Sequence, residues 1–278
     1  MKNIKIAVLG STGMLGRYVH TYFGSKGHKI FTFSRGYMNA NLLNETDLRV
    51  IFKAVGISDG DVVINCIGTI KPRVDELGTL NAIMVNAAFP HILENAISPL
   101  GVRLIHPTTD CVFTGDSGAY DENSLPLVTD VYGRTKSLGE PTNSTVIRTS
   151  IIGEEIGQGR SLVEWIKSNK DKEVNGFTNH IWNGITCLQF AKVCDQIIEK
   201  DFYWKGVRHM YSPTPVTKSG LVQMVSDAYG LNIKVNPIEA AVKCDRTLST
   251  IKDKLDIDIP ELIQQIQEMK EFYPILSK

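Results

Sequence analysis

The stretch Ile4-Lys5-Ile6-Ala7-Val8-Leu9-Gly10-Ser11-Thr12-Gly13-Met14-Leu15-Gly16 decides how the rest of the chain is read. Its apolar half, Ile4–Leu9, predicts a buried first strand, and Met14–Lys26 has the spacing of a helix ended by Gly27. The glycines between and within them follow the pattern GxxGxxG. Gly10 permits the tight turn, Gly13 lets the backbone approach a pyrophosphate, and Gly16 lets helix and strand pack closely. With Ser11, Thr12, Met14 and Leu15 they form a loop whose backbone N–H groups meet phosphates at the positive end of a helix. An ordinary glycine-rich turn is the competing reading. The position of the motif, directly between a strand and a helix, favours a dinucleotide site.

Outward from this turn, short apolar runs alternate with amphipathic stretches, the pattern of a parallel sheet with crossover helices. Lys29–Phe33, Asp61–Cys66, Val102–His106 and Thr145–Thr149 read as further strands, and Thr46–Val55 and Leu80–Ile97 as helices. Beyond Gly153 the alternation loosens. Ser161–Asn169, Leu188–Lys200, Lys218–Tyr229 and Pro260–Phe272 look helical, and His209-Met210-Tyr211 is a candidate short strand. The fold class expected is α/β: a Rossmann-type doubly wound parallel sheet with a smaller C-terminal α/β substrate-binding region. Residues 1–152, completed by 187–212, are expected to bind the dinucleotide, and 153–186 with 213–278 to form the substrate region. The second strand runs into Phe33-Ser34-Arg35 where an NAD enzyme carries an acidic residue for the ribose. A hydroxyl followed by a guanidinium suits a 2′-phosphate, so Ser34 and Arg35 favour NADPH while leaving NADH possible. A solvated loop arginine is the alternative at Arg35.

Charge narrows the partners. The 30 basic and 30 acidic residues cancel, and neither sign forms a long run, which argues against a nucleic-acid binder. Five cysteines with no CxxC spacing and no secretory leader read as reduced thiols of a cytoplasmic protein. No run approaches the roughly 18 apolar residues of a membrane span, so no membrane partner is expected. No His/Cys/Asp cluster has metal-ligand spacing.

The chemistry gathers at Tyr132-Gly133-Arg134-Thr135-Lys136, where a tyrosine and a lysine four residues apart share one helix face. Thr108-Thr109-Asp110 follows the fourth strand, at the sheet end where such folds bind ligands. A phenol of pKa about 10 is a poor acid–base group at neutral pH, and an adjacent ammonium is expected to lower that value. The Thr109 hydroxyl would hold a substrate carbonyl towards the tyrosine.

These motifs carry a resemblance. Val62-Val63-Ile64-Asn65-Cys66-Ile67-Gly68, Val85-Asn86, Thr108-Thr109-Asp110-Cys111-Val112-Phe113-Thr114-Gly115, Tyr132–Glu140 and Arg148-Thr149-Ser150 strongly resemble the dTDP-4-dehydrorhamnose reductase family of extended short-chain dehydrogenases/reductases. The resemblance implies a catalytic triad of Thr109, Tyr132 and Lys136. Tyr132 would protonate a carbonyl oxygen, Lys136 would hold the nicotinamide ribose, and Cys66, Ile67 and Gly68 would line the cofactor through their backbone. It further implies a nucleotide-sugar substrate, reduced at a 4-keto-6-deoxy-sugar for polysaccharide synthesis, and it leaves a homodimer open.

Two departures bear on the sugar: the family carries a tyrosine where Cys111 stands and a tryptophan near Ile151. Dehydratases of this fold carry Thr-Asp-Glu where Thr109-Asp110-Cys111 stands, so their glutamate base is missing. Cys111 also resembles the cysteine of an epimerising reductase, in which case His180 would be its partner. That bifunctional activity, and a non-catalytic dinucleotide-binding regulatory subunit, are the alternatives. Arg246 matches a family position for a nucleotide diphosphate, and Trp182 is a candidate wall of a sugar pocket; each is equally readable as an ordinary surface or loop residue. Lys71-Pro72-Arg73 could touch a substrate phosphate but reads first as a solvated charged loop, and Cys187 and Cys194 read as core residues.

Overall fold

A computed structural model describes residues 4–35, 39–41, 43–157, 159 and 161–277. The first half alternates β1 (Lys5–Leu9), α1 (Met14–Ser25), β2 (Lys29–Phe33), α2 (Glu45–Ala54) and β3 (Val62–Asn65). Then follow α3 (Lys71–Leu77), α4 (Thr79–Ala82), a π-helical turn Ile83–Ala88, α5 (Phe89–Ile97), β4 (Arg103–Thr109), α6 (Val131–Leu138) and β5 (Thr145–Thr149). The second half holds β6 (Ile151–Ile152), α7 (Leu162–Ser168), β7 (Glu173–Phe177), β8 (His180–Trp182), β9 (Ile185–Thr186) and α8 (Cys187–Glu199). It ends with β10 (Gly206–His209), β11 (Val216–Thr217), α9 (Lys218–Tyr229), β12 (Lys234–Ile238), β13 (Cys244–Asp245) and α10 (Leu262–Leu276).

Six strands form one parallel sheet in the order β10-β5-β4-β3-β1-β2. The chain leaves β1 towards β2 on one side and returns to β3 on the other, so a crevice opens above the strand C-terminal ends at β1. The continuous apolar run at β1 follows from burial on both faces. Ile6 and Val8 point into a core shared with α1, α8 and α10, while Ala7 and Leu9 point into another shared with α2 and α5. The first core also contains Leu221 of α9 and Val174 of β7, so the second half packs onto the first through continuous apolar contact.

The expected strands are present, Lys29–Phe33 and Thr145–Thr149 with the bounds expected and the others with shifted ends. β4 extends past His106 through Pro107 to Thr109. Its pairing with β3 stops at Ile105, so a residue without an N–H is tolerated there. The candidate strand at His209 ends on that residue and is the sixth strand of the main sheet, beside β5. Ser161, Thr186 and Thr217 cap α7, α8 and α9 through side-chain oxygens, which sets the helix starts. The strands of the small sheets, β11-β8-β13, β12-β7 and β6-β9, are two to five residues long, too short for a periodic signal.

One expected helix is interrupted. The stretch expected as a single helix over Leu80–Ile97 passes through the π-helical turn at Ile83–Ala88. Pro90 has no N–H to donate to the Asn86 carbonyl, so the regular helical bond is lost at that point. The same carbonyl lies against Gly139 at the end of α6, where any Cβ would overlap it. Lys71-Pro72-Arg73 is likewise corrected: these residues form the first turn of α3, with proline in the position helices accept, rather than a loop.

Candidate active site

The glycine turn is built as its spacing requires. Gly10 has φ +76°, a left-handed conformation, and its N–H donates to the Phe33 carbonyl at 2.7 Å. A Cβ on Gly16 would overlap the Gly10 carbonyl oxygen, so only glycine lets α1 start this close to β1. A Cβ on Gly13 would meet that oxygen at an ordinary 3.4 Å. The protein alone does not need glycine there; a ligand approaching the backbone would. Gly13 offers no side-chain cap to α1, which leaves the helix start for an anion.

Above the turn lies a cavity of about 660 Å3. Gly10, Thr12, Gly13, Met14 and Leu15 line one wall, Cys66, Ile67 and Gly68 another, and Arg35 stands at one end. Thr109, Cys111, Tyr132 and Lys136 stand in the same cavity. The space therefore runs from the glycine turn to Thr109, Tyr132 and Lys136, the span that a dinucleotide laid across the strand ends would need. Ser11, Gly16 and Ser34 do not line it. Ser11 is buried and Gly16 acts through packing. Sequence reading missed Arg17, which lines the cavity from the first turn of α1; Arg73, singled out in Lys71-Pro72-Arg73 as able to touch a substrate phosphate, enters the cavity from α3. The signal for Arg17 was its place directly after the third glycine. The glycine cradle and the guanidinium groups fit a dinucleotide, which these residues would hold.

The Thr109 hydroxyl accepts the Cys111 N–H at 3.1 Å and donates to Asp110 Oδ1 at 3.1 Å. Lys136 Nζ donates to the Pro107 carbonyl at 2.9 Å, using the part of β4 that extends past the end of β3. Burial lowers the Lys136 ammonium from 10.5 to about 8, against the opposing pull of Glu140 and Cys66. The Tyr132 phenol is raised, first by burial and then by Cys111, with the neighbouring Thr109 side chain acting against the rise. The expectation that the ammonium lowers the phenol is therefore corrected: desolvation dominates. At neutral pH Tyr132 holds its proton, the form that a general acid needs.

Two buried networks hold these groups. Glu140, one turn beyond Lys136, accepts Arg148 Nε at 3.1 Å and Arg148 Nη2 at 2.6 Å, and the Thr108 hydroxyl at 2.9 Å. Asn86, in the π-helical turn, accepts the Thr69 N–H at 2.8 Å and donates to the Thr69 carbonyl at 2.9 Å and the Thr135 hydroxyl at 3.3 Å. It ties the loop after β3 to α6.

The substrate-side residues divide. Cys111 lines the cavity, its thiol pushed up to about 12 by burial and by Asp110, so it is not a thiolate near neutrality. His180 lies outside the cavity lining: its Nε2 contacts the Val242 carbonyl at 3.0 Å and its ring packs 4.8 Å from Phe177. Trp182 is buried rather than forming a wall of the cavity, with Lys218 Nζ 5.2 Å from its ring centre. Arg246 Nε donates to the Phe113 carbonyl at 2.9 Å, in the segment that follows Cys111. Lys71 pairs with Asp130 at 3.4 Å. Cys187 and Cys194 are fully buried, and none of the five cysteines is in a disulfide. Among the described residues no group of His, Cys, Asp and Glu could hold a metal ion, and no helix is long and apolar enough to cross a membrane.

Comparison with known proteins shows the family and the fold. Over 250 residues the chain is 26% identical to methionine adenosyltransferase 2 subunit beta of Pongo abelii, covering 82% of this chain and 73% of that protein. It is 32% identical over 142 residues to dTDP-4-dehydrorhamnose reductase of Mycolicibacterium smegmatis, covering 49% of this chain and 40% of that protein. The crystal structure of dTDP-4-dehydrorhamnose reductase from Bacillus anthracis in complex with NADP has the same fold. Its TM-score is 0.79 at 16% identity, over 96% of this chain and 99% of that one. Residues 4–253 match the family model described as RmlD substrate binding domain, a span that takes in the glycine turn, Tyr132, Lys136 and Arg246 alike. The chain thus belongs to the RmlD substrate binding domain family, on the fold of the dTDP-4-dehydrorhamnose reductases.

Proposed function

We propose that the protein is an NADPH-dependent reductase of a nucleotide-linked 4-keto-6-deoxy-sugar, working in the cytoplasm in polysaccharide synthesis. The observation that carries this reading is the single cavity lined by the glycine turn, Thr109, Tyr132 and Lys136. In this reading residues 1–152 with 187–212 hold the dinucleotide, and 153–186 with 213–278 hold the sugar nucleotide. A bound nicotinamide supplies hydride to the carbonyl carbon. Tyr132 gives its proton to the carbonyl oxygen, which becomes the hydroxyl of the product, and recovers a proton from solvent. Thr109 orients that oxygen, and Lys136, charged below pH about 8, stabilises the phenolate left behind.

Arg17 and Arg35 in the cofactor cavity support a 2′-phosphate, hence NADPH before NADH. Reduction without epimerisation is favoured, because Cys111 keeps its proton and His180 is held at Val242. The test is NADPH consumption with UDP-, GDP-, CDP- and dTDP-linked 4-keto-sugars; consumption of NADPH with none of them counts against the reading.

A second reading comes from the relative that is a methionine adenosyltransferase subunit: a dinucleotide-binding regulatory subunit without turnover of its own. It predicts NADPH binding, no reduction of any keto-sugar, and a complex with a methionine adenosyltransferase catalytic chain by gel filtration.

A further inference from the structure

We propose that Glu140, clamped by Arg148, is a positioning residue for Lys136 and Thr109: its charge holds the Lys136 ammonium against the Pro107 carbonyl, and its bond to Thr108 fixes the strand end that presents Thr109. The proposal rests on the reductase reading above, in which Lys136 and Thr109 act on the substrate. Glu140 and Arg148 themselves do not line the cavity. Past Ile105 the pairing of β4 with β3 ends, while Pro107, Thr108 and Thr109 remain paired with Ile147, Arg148 and Thr149 of β5. Thr108 and Arg148 are therefore cross-strand partners, with side chains on one face of the sheet. Glu140, just past the end of α6, reaches both: it accepts the Thr108 hydroxyl at 2.9 Å, and Arg148 Nε and Nη2 at 3.1 and 2.6 Å. Thr108 is flanked in the chain by Thr109 and by Pro107, whose carbonyl receives Lys136 Nζ at 2.9 Å. One bond thus sets the place of both neighbours.

Arg148 is fixed on its remaining sides. Its Nη1 lies 3.1 Å from His209 Nε2, and its guanidinium lies 5.1 Å from the Phe113 ring centre. His209 Nδ1 lies 2.8 Å from the Ser249 carbonyl, which can only accept, so Nδ1 carries the proton and Nε2 accepts from Arg148. Burial and then Arg148 lower the His209 pKa, which keeps the ring neutral in that role. Net stability is a poor account of the pair. The two side chains are 5% and 10% exposed, and desolvation of such a pair about cancels its attraction. An acid past the C-terminal end of α6 also opposes the helix dipole. What the pair supplies is orientation, and a charge near Lys136. The titratable groups facing Lys136 are Glu140, Cys66 past β3 and His106 on β4. Burial raises the Cys66 thiol and lowers His106, so both are uncharged near neutrality. Asp110 and Cys111 act on Tyr132, Asp130 pairs with Lys71, and the π-helical turn brings the neutral Asn86. Glu140 is the acid that favours the charged amine.

The test separates charge from folding. Glu140→Gln keeps an acceptor for Thr108 but leaves Arg148 buried without its acid. Glu140→Leu/Arg148→Met, which replaces both charges by apolar groups of similar size, is made beside it and should fold. Carbon-13 NMR titration of labelled lysine side chains follows the Lys136 amine, whose signal is the one missing from Lys136→Met. Its midpoint, about 8 in wild type, should fall by about one unit in whichever of the two variants folds. Glu140→Asp, which keeps the charge, should hold it within about half a unit of wild type. With a keto-sugar nucleotide that wild type reduces, kcat at neutral pH should fall about tenfold, and the loss of activity on the basic side should begin about one pH unit lower. KM for the sugar nucleotide should stay within about threefold. A pair that served structure alone would lower stability and leave the midpoint and the basic limb in place. Equal midpoints in wild type and the double variant, or an unmoved basic limb, overturn the proposal. If wild type oxidises NADPH with no keto-sugar nucleotide, the reductase reading fails, and the midpoint alone decides whether Glu140 sets Lys136.

Discussion

Replacing Lys136 by methionine should stabilise the protein at pH 7 while removing its activity. The Lys136 side chain is only 8% exposed, and burial takes its ammonium from 10.5 to about 8. A shift of that size corresponds to about 3 kcal/mol of destabilisation while the amine is charged, at about 1.4 kcal/mol per pH unit. Because the folded-state value is lowered, the unfolded chain binds more protons between pH 8 and 10.5, so wild-type stability rises with pH across that window. Methionine keeps the packed stem and removes the charge. The Pro107 carbonyl loses its 2.9 Å partner, but Pro107 lines the cavity and water can replace the lysine. The net gain expected at pH 7 is roughly 1–3 kcal/mol, falling by about 2 kcal/mol at pH 9.5 as wild type sheds its proton. Urea unfolding of both proteins without cofactor at the two pH values measures it. A variant less stable than wild type at pH 7, with a difference independent of pH, would refute the reasoning.

The glycine turn separates packing from ligand approach. Gly16→Ala forces a Cβ onto the Gly10 carbonyl and should cost roughly 1–3 kcal/mol in a denaturant melt. Gly13→Ala meets that carbonyl at 3.4 Å, and should leave stability within about 0.5 kcal/mol of wild type while weakening NADPH in a fluorescence titration. Arg35→Ala and Arg17→Ala should each weaken NADPH about tenfold or more, with NADH little changed. Equal losses for both cofactors would make the arginines structural.

Much of the first half was legible because its signals are local. A strand, GxxGxxG and a helix follow one another without interruption, and Tyr132 and Lys136 are linked by helical spacing alone. The break at Asn86 was legible in principle from Pro90, but the packing of its carbonyl against Gly139, 53 residues away in sequence, was not. The substrate side was the least legible. Lys218, Trp182 and Arg246 come together through strands of two or three residues, and no periodicity marks such pieces. The pKa of Tyr132 could not be read from spacing either. A lysine four residues away suggests a lowered phenol, but burial and then Cys111 raise it.

The most direct measurement of the central claim compares wild type with Tyr132→Phe for NADPH oxidation on the best 4-keto-sugar nucleotide of the four base series. Wild type should turn over steadily. In Tyr132→Phe, kcat should fall at least about a hundredfold, because the proton donor is gone, with NADPH affinity held within about threefold. Turnover by Tyr132→Phe within a few-fold of wild type, or no NADPH oxidation by wild type with any of the four series, would contradict it.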